Sequence, residues 1–170
     1  MSIFAENSKG YMKIALFPGS FDPFTRGHEA IVEEALKLFD RVVIAIGENI
    51  QKKTLLTAEN RRRLIEAVYS GNSRVECIVY SSLTVDVAAK VGATAIIRGI
   101  RNTIDFEYER TLADINRRIS PDIATVMLLT PPQLSDISSS AVRELLAFGH
   151  SVEEMLPAGI SIEPYIEKSK

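Results

Sequence analysis

Apolar residues along this chain gather into five short runs, at 13–17, 41–46, 74–80, 94–98 and 125–129. Several of these runs are apolar throughout, as in the VVIAI segment at 42–46, instead of alternating with polar positions. Such a pattern is typical of strands covered on both faces, which occur in parallel sheets. We therefore predict five strands in one parallel sheet.

The segments between these runs show the three-and-four spacing of amphipathic helices. The predicted helices lie at 28–39, 58–70, 84–91, 105–119 and 138–148. Thr57 is predicted to cap the second helix, and Gly71 to end it. Regular alternation of strand and helix indicates βαβ units. The predicted fold is α/β: a single doubly wound, Rossmann-like domain with a five-stranded parallel sheet and helices on both faces.

The two ends of the chain differ from this pattern. Residues 1–11 precede the first run and are interpreted as an N-terminal extension, which leaves 12–170 as one domain. Pro157, Gly159 and Pro164 interrupt the last segment. We predict that this segment forms short helical turns packed back on the domain.

The composition is that of a globular domain, with 170 residues, 46% hydrophobic and 25% charged. Lys plus Arg total 20 and Asp plus Glu total 22, so the formal charge is −2 and no overall field attracts nucleic acid or anionic lipid. No apolar run approaches the roughly 18 to 20 residues of a membrane-spanning helix. We expect a cytoplasmic protein with no nucleic-acid or membrane partner, whose anion sites are local.

Few residues are available for thiol or metal chemistry. Cys77 is the single cysteine, and His28 and His150 are the only histidines, which excludes an internal disulfide and a Cys/His zinc site. Cys77 lies in an apolar run and is expected to be inert. The arginines at 61–63 lie beside two glutamates, so we interpret them as a solvated, salt-bridged helix face.

In open α/β sheets ligands bind beyond the carboxyl ends of the strands, so the residues after each run form the candidate site. After the first run comes PGSFDPFTRGH, residues 18–28, which places the hydroxyl of Ser20 and the imidazole of His28 near the start of a helix. A helix N-terminus binds anions, and a histidine there can donate to phosphate. Neither the Walker phosphate loop nor the GxGxxG dinucleotide motif occurs in the chain.

Three further strand ends carry groups suited to phosphate. Lys52 and Lys53 follow the second run, and Arg98 ends the fourth, just before Gly99. Three serines, 138–140, stand at the start of the last predicted helix. Each group also has a local explanation, such as solvent exposure or helix capping. Their convergence on one edge of the sheet favours a polyphosphate site.

These segments also resemble a known family. The loop PGSFDPFTRGH is similar to the T/HxGH signature of the nucleotidyltransferase α/β-phosphodiesterase superfamily, and ISSSAVRE at 137–144 resembles its second signature. Within that superfamily the chain most resembles bacterial phosphopantetheine adenylyltransferases, through IRGIR at 97–101 and DFEYE at 105–109. The resemblance extends from about Met12 to Ile166. Residues 12–170 are therefore interpreted as a nucleotidyltransferase domain.

The resemblance implies reversible transfer of AMP from ATP to 4′-phosphopantetheine, with Mg²⁺ as cofactor. The products would be dephospho-coenzyme A and pyrophosphate, in the penultimate step of coenzyme A synthesis. It also implies a homohexamer that coenzyme A inhibits by feedback. The ligands of Mg²⁺ are not assigned, because ATP's own phosphates can hold most of the ion.

The resemblance also implies roles for individual residues. His28, Lys52 and Arg98 would be catalytic, with Lys52 and Arg98 on the phosphate of phosphopantetheine. Ser20 would contact the phosphates of both substrates, and Thr84 would line the pantetheine arm. The residues expected to surround ATP are Ser20, Phe21, His28, Gly99, Ile100, Arg101, Glu109, Leu134, Ser135, Asp136, Ile137, Ser138, Ser139 and Ser140. Leu134 stands where the family often has an aromatic residue against adenine, so the stacking of the base is left open.

The chemistry agrees with this set of residues. A phosphate monoester is largely deprotonated at pH 7, so the attack needs no strong general base, and the chain offers no Ser-His-Asp set. Two other interpretations stay open: a nucleotidyltransferase that acts on nicotinate mononucleotide or a phosphorylated alcohol, and a nucleotide-binding module without catalysis. An RNA-binding protein would need a basic face, which the composition does not favour.

Overall fold

The five apolar runs form one parallel sheet in a computed structural model, which describes residues 12–48 and 53–167. The strands are β1 (Ile14–Gly19), β2 (Arg41–Gly47), β3 (Val75–Tyr80), β4 (Ala95–Ile100) and β5 (Ala124–Leu129). Their order across the sheet is β3-β2-β1-β4-β5, and every neighbouring pair is parallel. The predicted sheet is confirmed. The predicted extension at 1–11 lies outside the described residues.

Helices connect the strands in the predicted alternation. They are α1 (Arg26–Ala35), α2 (Ala58–Val68), α3 (Thr84–Lys90), α4 (Thr103–Ile119) and α5 (Ser139–Ala147). Thr57 caps α2 by accepting a hydrogen bond from the backbone N–H of Asn60, at 3.2 Å. Gly71, at φ +83°, stops the segment after α2 in a left-handed conformation that favours glycine. Both end signals are confirmed.

Apolar side chains cover both faces of the sheet. On one face, Ala15 and Phe17 of β1 pack in a cluster that includes Ile31 of α1 and Leu64 of α2. On the other face, Leu16 of β1 packs in a second cluster that includes residues of α3. Neighbouring strand residues thus point to opposite faces and are buried on each. The doubly wound α/β class is confirmed.

Two boundaries differ from the prediction in a way that matters for the site. β1 continues through Pro18 and Gly19, and β4 continues through Gly99 and Ile100. These residues were expected in loops, but β1 pairs with β2 as far as Gly19. The ladder therefore carries the strand ends further into the candidate site.

The strand order reverses beside β1, since β2 lies on one side of it and β4 on the other. A crevice opens at such a switch point, between the loops that leave the two strands. The C-terminal segment packs back on α5 through Val152, Leu156 and Ile162. Two short 3-10 helices in this segment, Glu153–Met155 and Glu163–Tyr165, confirm the predicted short turns. Among the described helices, we find none with the length and apolar content to cross a membrane.

Candidate functional site

A cleft lies at the carboxyl ends of β1 and β4, where the switch point leads us to expect it. Its walls include several residues of the predicted site: Phe21, His28, Arg98, Gly99, Arg101, Glu109 and Ile137. Gly99 permits close packing here, because a Cβ at that position would lie 3.0 Å from Cγ1 of Ile31 on α1. The end of β4 and the middle of α1 are therefore in close contact.

His28 is in the first turn of α1, and hydrogen bonds hold its ring. The backbone N–H of Thr25 donates to Nδ1 of His28 at 3.0 Å, and the Thr25 hydroxyl lies 3.0 Å from the same nitrogen. Burial, together with the positive charge of Arg101, lowers the pKa of His28 to about 4. The imidazole is therefore neutral at pH 7, and we assign its proton to Nε2. Nε2 is then available to donate.

Arg98 and Glu109 form a bidentate ion pair between the end of β4 and α4. Nε and Nη2 of Arg98 each lie 2.5 Å from a carboxylate oxygen of Glu109, and Nη1 donates to the carbonyl oxygen of Pro18 at 2.9 Å. A guanidinium has five N–H groups. With three of them used, two remain for a ligand. Glu109 is 8% exposed, so this carboxylate serves the arginine more than the solvent.

The same ion pair also lines a second cavity. Thr84, at the first turn of α3, lies in the wall of that cavity together with Arg98, Glu109 and Asn116. The hydroxyl of Thr84 is 3.0 Å from that of Tyr80. Arg98 and Glu109 therefore separate a cleft that contains His28 from a cavity that contains Thr84.

Arg101 is held beside His28 by an ion pair with Asp105 of α4. Nε of Arg101 lies 2.9 Å from Oδ2 of Asp105, which also accepts the backbone N–H of Arg101 at 3.1 Å. Burial raises the pKa of Asp105, but the hydrogen bonds and charge of Arg101 outweigh it, so the net pKa is lowered. Ile100 and Ser135 line an apolar cavity next to Arg101, with Phe106.

The serine loop, residues 134–140, forms most of its side-chain hydrogen bonds with other groups of the protein. Ser138 caps α5 by accepting from the backbone N–H of Ala141 at 3.1 Å. Ser139 donates to the carbonyl oxygen of Pro23 at 2.8 Å, and Ser140 accepts from Nη2 of Arg143 at 3.1 Å.

The remaining members of this loop lie in different surroundings. Ile137 is the residue of the 134–140 segment that lines the cleft. Leu134 is half-buried, and Ser135 and Asp136 are exposed. The hydroxyl of Ser135 donates to the carbonyl oxygen of Pro132 at 2.8 Å.

Asp22, which the sequence analysis did not single out, is buried in the loop that follows β1. Its carboxylate accepts the backbone N–H groups of Leu55 and Leu56, each at 2.8 Å. These residues come soon after Lys52, which itself lies outside the described residues. Asp22 thus ties the loop after β1 to the chain that follows the gap at 49–52.

Arg61 corrects the interpretation of the 61–63 arginines as a solvated face. Arg61 is 3% exposed, and its Nη1 donates to the carbonyl oxygen of Ser20 at 2.7 Å. Arg62 is partly exposed and makes the expected ion pairs, to Glu59 and Glu66. The helical period could have predicted this burial, because Arg61 lies three residues before the buried Leu64 and so shares its face of α2.

Two other results concern thiol and metal chemistry. Burial raises the pKa of the Cys77 thiol to about 12, which agrees with an inert cysteine. Within residues 12–48 and 53–167, no three His, Cys, Asp or Glu side chains cluster as metal ligands. The carboxylates of Asp22 and Glu109 are occupied by protein donors.

The fold and this arrangement of cationic and neutral donors at the switch point are those expected of a nucleotidyltransferase, and the comparisons with known proteins show that class. The profile of the cytidylyltransferase-like family matches residues 16–145. A structure described as a putative nicotinate-nucleotide adenylyltransferase from Vibrio parahaemolyticus is similar, with TM-score 0.66 and 19% identity, over 86% of this chain and 88% of that one. A bifunctional NMN adenylyltransferase/ADP ribose pyrophosphatase from Francisella tularensis gives TM-score 0.68 and 17% identity, over 89% of this chain and 47% of that one. At these identities the two structures support the fold.

Sequence relatives are much nearer. The phosphopantetheine adenylyltransferase of Porphyromonas gingivalis is 56% identical over 150 residues, which cover 88% of this chain and 97% of the relative. That of Phocaeicola vulgatus is 49% identical over 152 residues, or 89% of this chain and all of the relative (100%). That of Lactobacillus johnsonii is 45% identical over 148 residues, or 86% and 89%. The chain belongs to the phosphopantetheine adenylyltransferase family.

Proposed function

We propose that this protein transfers AMP from ATP to 4′-phosphopantetheine, and that the reaction is reversible. The products are dephospho-coenzyme A and pyrophosphate, and the step is the penultimate one of coenzyme A synthesis. The observation that carries this proposal is the shared Arg98–Glu109 wall between a cleft with His28 and a cavity with Thr84. Two phosphorylated substrates bound on either side of that wall would meet at Arg98.

The reaction forms one phosphorus–oxygen bond and breaks another. A phosphate oxygen of phosphopantetheine attacks the α-phosphorus of ATP, and the electron pair of the broken bond leaves with pyrophosphate. The attacking monoester has a second pKa of about 6, so it is largely deprotonated at pH 7 and needs no strong base. Catalysis then consists of in-line positioning and stabilisation of the growing negative charge.

His28 acts as a neutral hydrogen-bond donor in this proposal. Nε2–H donates to an oxygen of the α-phosphate, whose negative charge grows in the transition state. The lowered pKa supports this role, because the donor stays available and no proton has to be taken up first. The hydrogen bond from Thr25 keeps the ring in the required orientation.

Arg98 and Lys52 orient the phosphate of phosphopantetheine. Arg98 is preorganised, since Glu109 holds the guanidinium in place while two N–H groups remain unused. A fixed planar donor loses less entropy on binding phosphate than a mobile one. Thr84 lines the cavity for the pantetheine arm.

The residues that the sequence analysis assigned to ATP surround the nucleotide in this proposal. The amides at the start of α5, together with the hydroxyls of Ser138 and Ser140, face the β- and γ-phosphates in this proposal, as helix N-termini suit anions. Ser139 would contribute its backbone, since its hydroxyl donates to the carbonyl oxygen of Pro23. Gly99, Ile100 and Arg101 flank the nucleoside. The apolar cavity with Ile100 and Phe106 beside Arg101 suits an adenine ring.

Magnesium enters this proposal with ATP. Mg²⁺ is bound through substrate phosphates and few protein ligands in many such sites, and the site carboxylates Asp22 and Glu109 are already engaged. The ion supplies charge neutralisation on the phosphates when bound. Asp22, Glu109 and their partners orient the protein donors around it.

The assembly and regulation follow the same proposal. We propose a cytoplasmic homohexamer that coenzyme A inhibits, because coenzyme A contains the reaction product and would compete with the substrates for the same site. Exposed apolar side chains on α4 support self-association: Ile104, Phe106, Tyr108, Ile115 and Ile119.

Pyrophosphate release from ATP and Mg²⁺ tests the proposed activity. The acceptors are 4′-phosphopantetheine, nicotinate mononucleotide and none, with wild type and His28→Ala. Release with phosphopantetheine alone, and its loss in the variant, is the expected result. Release with the mononucleotide would overturn the substrate, and no release with either would favour a binding module.

A further inference from the structure

Carbonyl groups of the 20–23 loop accept hydrogen bonds from arginines far away in the sequence. Arg61 of α2 donates from Nη1 to the carbonyl oxygen of Ser20 at 2.7 Å. Arg143 of α5 donates from Nη1 to the carbonyl oxygen of Asp22 at 2.6 Å. A third carbonyl, that of Pro23, accepts from the hydroxyl of Ser139. Three side chains from distant parts of the sequence thus fix the backbone of one short loop.

The loop needs such support, because Phe21 has a left-handed backbone conformation with φ +48°. A bulky residue rarely adopts that conformation, which persists where the surroundings determine it. The ring of Phe21 packs edge-to-face against Phe17, with centroids 5.2 Å apart, and against His28, at 5.1 Å. The carbonyls on both sides of Phe21 are the ones that the two arginines hold.

Arg61 is an unusual choice if stability were its only role. It lies on the face of α2 that buries Leu64 and Ile65, where an apolar side chain would cost no desolvation. Burial lowers the pKa of Arg61, and the charges of Asp22 and Glu48 oppose that effect. The buried charge is thus compensated, and its Nη1 is directed at the loop.

The chemistry of an anion loop gives this arrangement a reason. A carbonyl oxygen carries partial negative charge and repels phosphate, whereas hydroxyl and amide hydrogens attract it. Ser20 is exposed while its carbonyl is bound from within by Arg61. The carbonyl groups, which would repel an anion, are therefore the groups of this loop that hydrogen-bond within the protein.

We propose that Arg61 is a positioning residue for ATP: it holds the Ser20 carbonyl inside the protein, so that the Ser20 hydroxyl and the Phe21 backbone are presented to the phosphates. Arg143 does the same at the Asp22 carbonyl. This inference rests on the proposed function, since that function makes ATP the ligand of the loop. Neither arginine contacts the reacting atoms in this role.

The test compares Arg61→Met and Arg61→Lys with Arg62→Met. Arg62 is the neighbouring, partly exposed arginine, whose ion pairs are with Glu59 and Glu66 of α2 itself. ATP binding is measured by calorimetry without acceptor, and kcat and KM by pyrophosphate release. The free energy of one hydrogen bond to a charged group corresponds to a change of about tenfold in a dissociation constant. We expect Arg61→Met to weaken ATP binding about tenfold and to raise the KM for ATP, Arg61→Lys to recover part of the loss, and Arg62→Met to match wild type.

Thermal unfolding of each variant separates positioning from a purely structural role. A folded Arg61→Met protein with wild-type ATP affinity and KM would overturn the inference, whatever its Tm. If Arg61→Met does not fold, wild-type ATP affinity in both Arg61→Lys and Arg143→Met would overturn it equally. Should wild type bind ATP but transfer nothing to phosphopantetheine, the proposed function fails, and weaker ATP binding by Arg61→Met would still support the positioning role.

Discussion

The backbone N–H of Thr25 donates to Nδ1 of His28 across 3.0 Å at the start of α1. That bond requires an unprotonated Nδ1, so it is compatible with the neutral ring and lost in the imidazolium. Burial and the charge of Arg101 act in the same direction, since both disfavour the protonated form. His28 is therefore a neutral donor that the helix start holds in one orientation.

The pKa of His28 leads to a prediction about protonation and stability. The imidazole should stay neutral, with the proton on Nε2, down to about pH 5, and titrate near pH 4. The unfolded chain binds this proton near pH 6.5 and the folded chain near 4, so the free energy of unfolding should fall as pH decreases between these values.

Nitrogen-15 NMR of the imidazole measures the tautomer and the pKa, and urea unfolding at several pH values measures the stability. The His28→Gln variant is the control, and it should show a shallower loss of stability. An imidazole that titrates near pH 6.5 in the folded protein would contradict the prediction.

Removal of the His28 donor should affect turnover more than binding. We expect His28→Ala to lower kcat by about 10² to 10³, because one donor to a developing oxyanion contributes that much. Its effect on the Kd of ATP should be smaller. Stopped-flow kinetics and ATP calorimetry measure the two quantities. An unchanged kcat with weakened ATP binding would show that His28 binds the ground state only.

The ion pair between Arg98 and Glu109 should contribute measurably to stability. Removing one partner of a buried pair costs about 3 to 5 kcal/mol, and we expect about 2 kcal/mol for Glu109→Ala because the Arg98 side chain is 24% exposed. The matched control is Glu66→Ala, whose solvent-exposed bridge to Arg62 should contribute much less than the Arg98 pair. Urea unfolding measures the free energy of unfolding of both variants. Equal losses of stability would contradict the larger contribution expected of the Arg98–Glu109 pair.

The two adjacent lysines after β2 offer a matched pair of variants. Lys52→Ala should raise the KM for 4′-phosphopantetheine with little change in the KM for ATP, since the proposal assigns Lys52 to the acceptor phosphate. Lys53→Ala should resemble wild type, because Lys53 is exposed. Steady-state kinetics with each substrate varied measures both constants. Similar effects of the two substitutions would mean that only general positive charge matters.

The proposed hexamer predicts that a charge on α4 disrupts assembly. Ile115 is 48% exposed on α4, and Leu38, which follows α1, is 55% exposed and provides the control. Ile115→Glu should reduce the mass of the particle in light scattering, because a carboxylate is costly to bury in an interface. Leu38→Glu should leave it unchanged. A monomeric wild type would refute the hexamer directly.

Local patterns in the sequence were sufficient for the elements of the fold. The VVIAI run at 42–46 became the core of β2, and Thr57 and Gly71 marked the limits of α2 as predicted. These features depend on hydrophobic period and backbone preference, which neighbouring residues carry. The sheet edge that would carry the site followed from the same reasoning.

Arg61 shows where that reasoning failed. Its charge led to the prediction that the side chain is exposed to solvent, although its spacing from Leu64 indicated the buried face of α2. Burial became favourable because the Ser20 carbonyl, forty-one residues earlier, offers an acceptor and the charges of Asp22 and Glu48 compensate the buried guanidinium. Propensity alone cannot supply such a partner.

The sequence by itself determined the strands, the helices and the group of residues at one edge of the sheet, because local patterns of polarity and turn residues encode them. The tertiary structure alone decided which of those residues are joined. Arg98 meets Glu109 and Pro18, and Ser139 meets Pro23, because parallel strands bring distant loops together at one edge. Hydrogen bonds act over about 3 Å, so pairing depends on positions that only the folded chain defines.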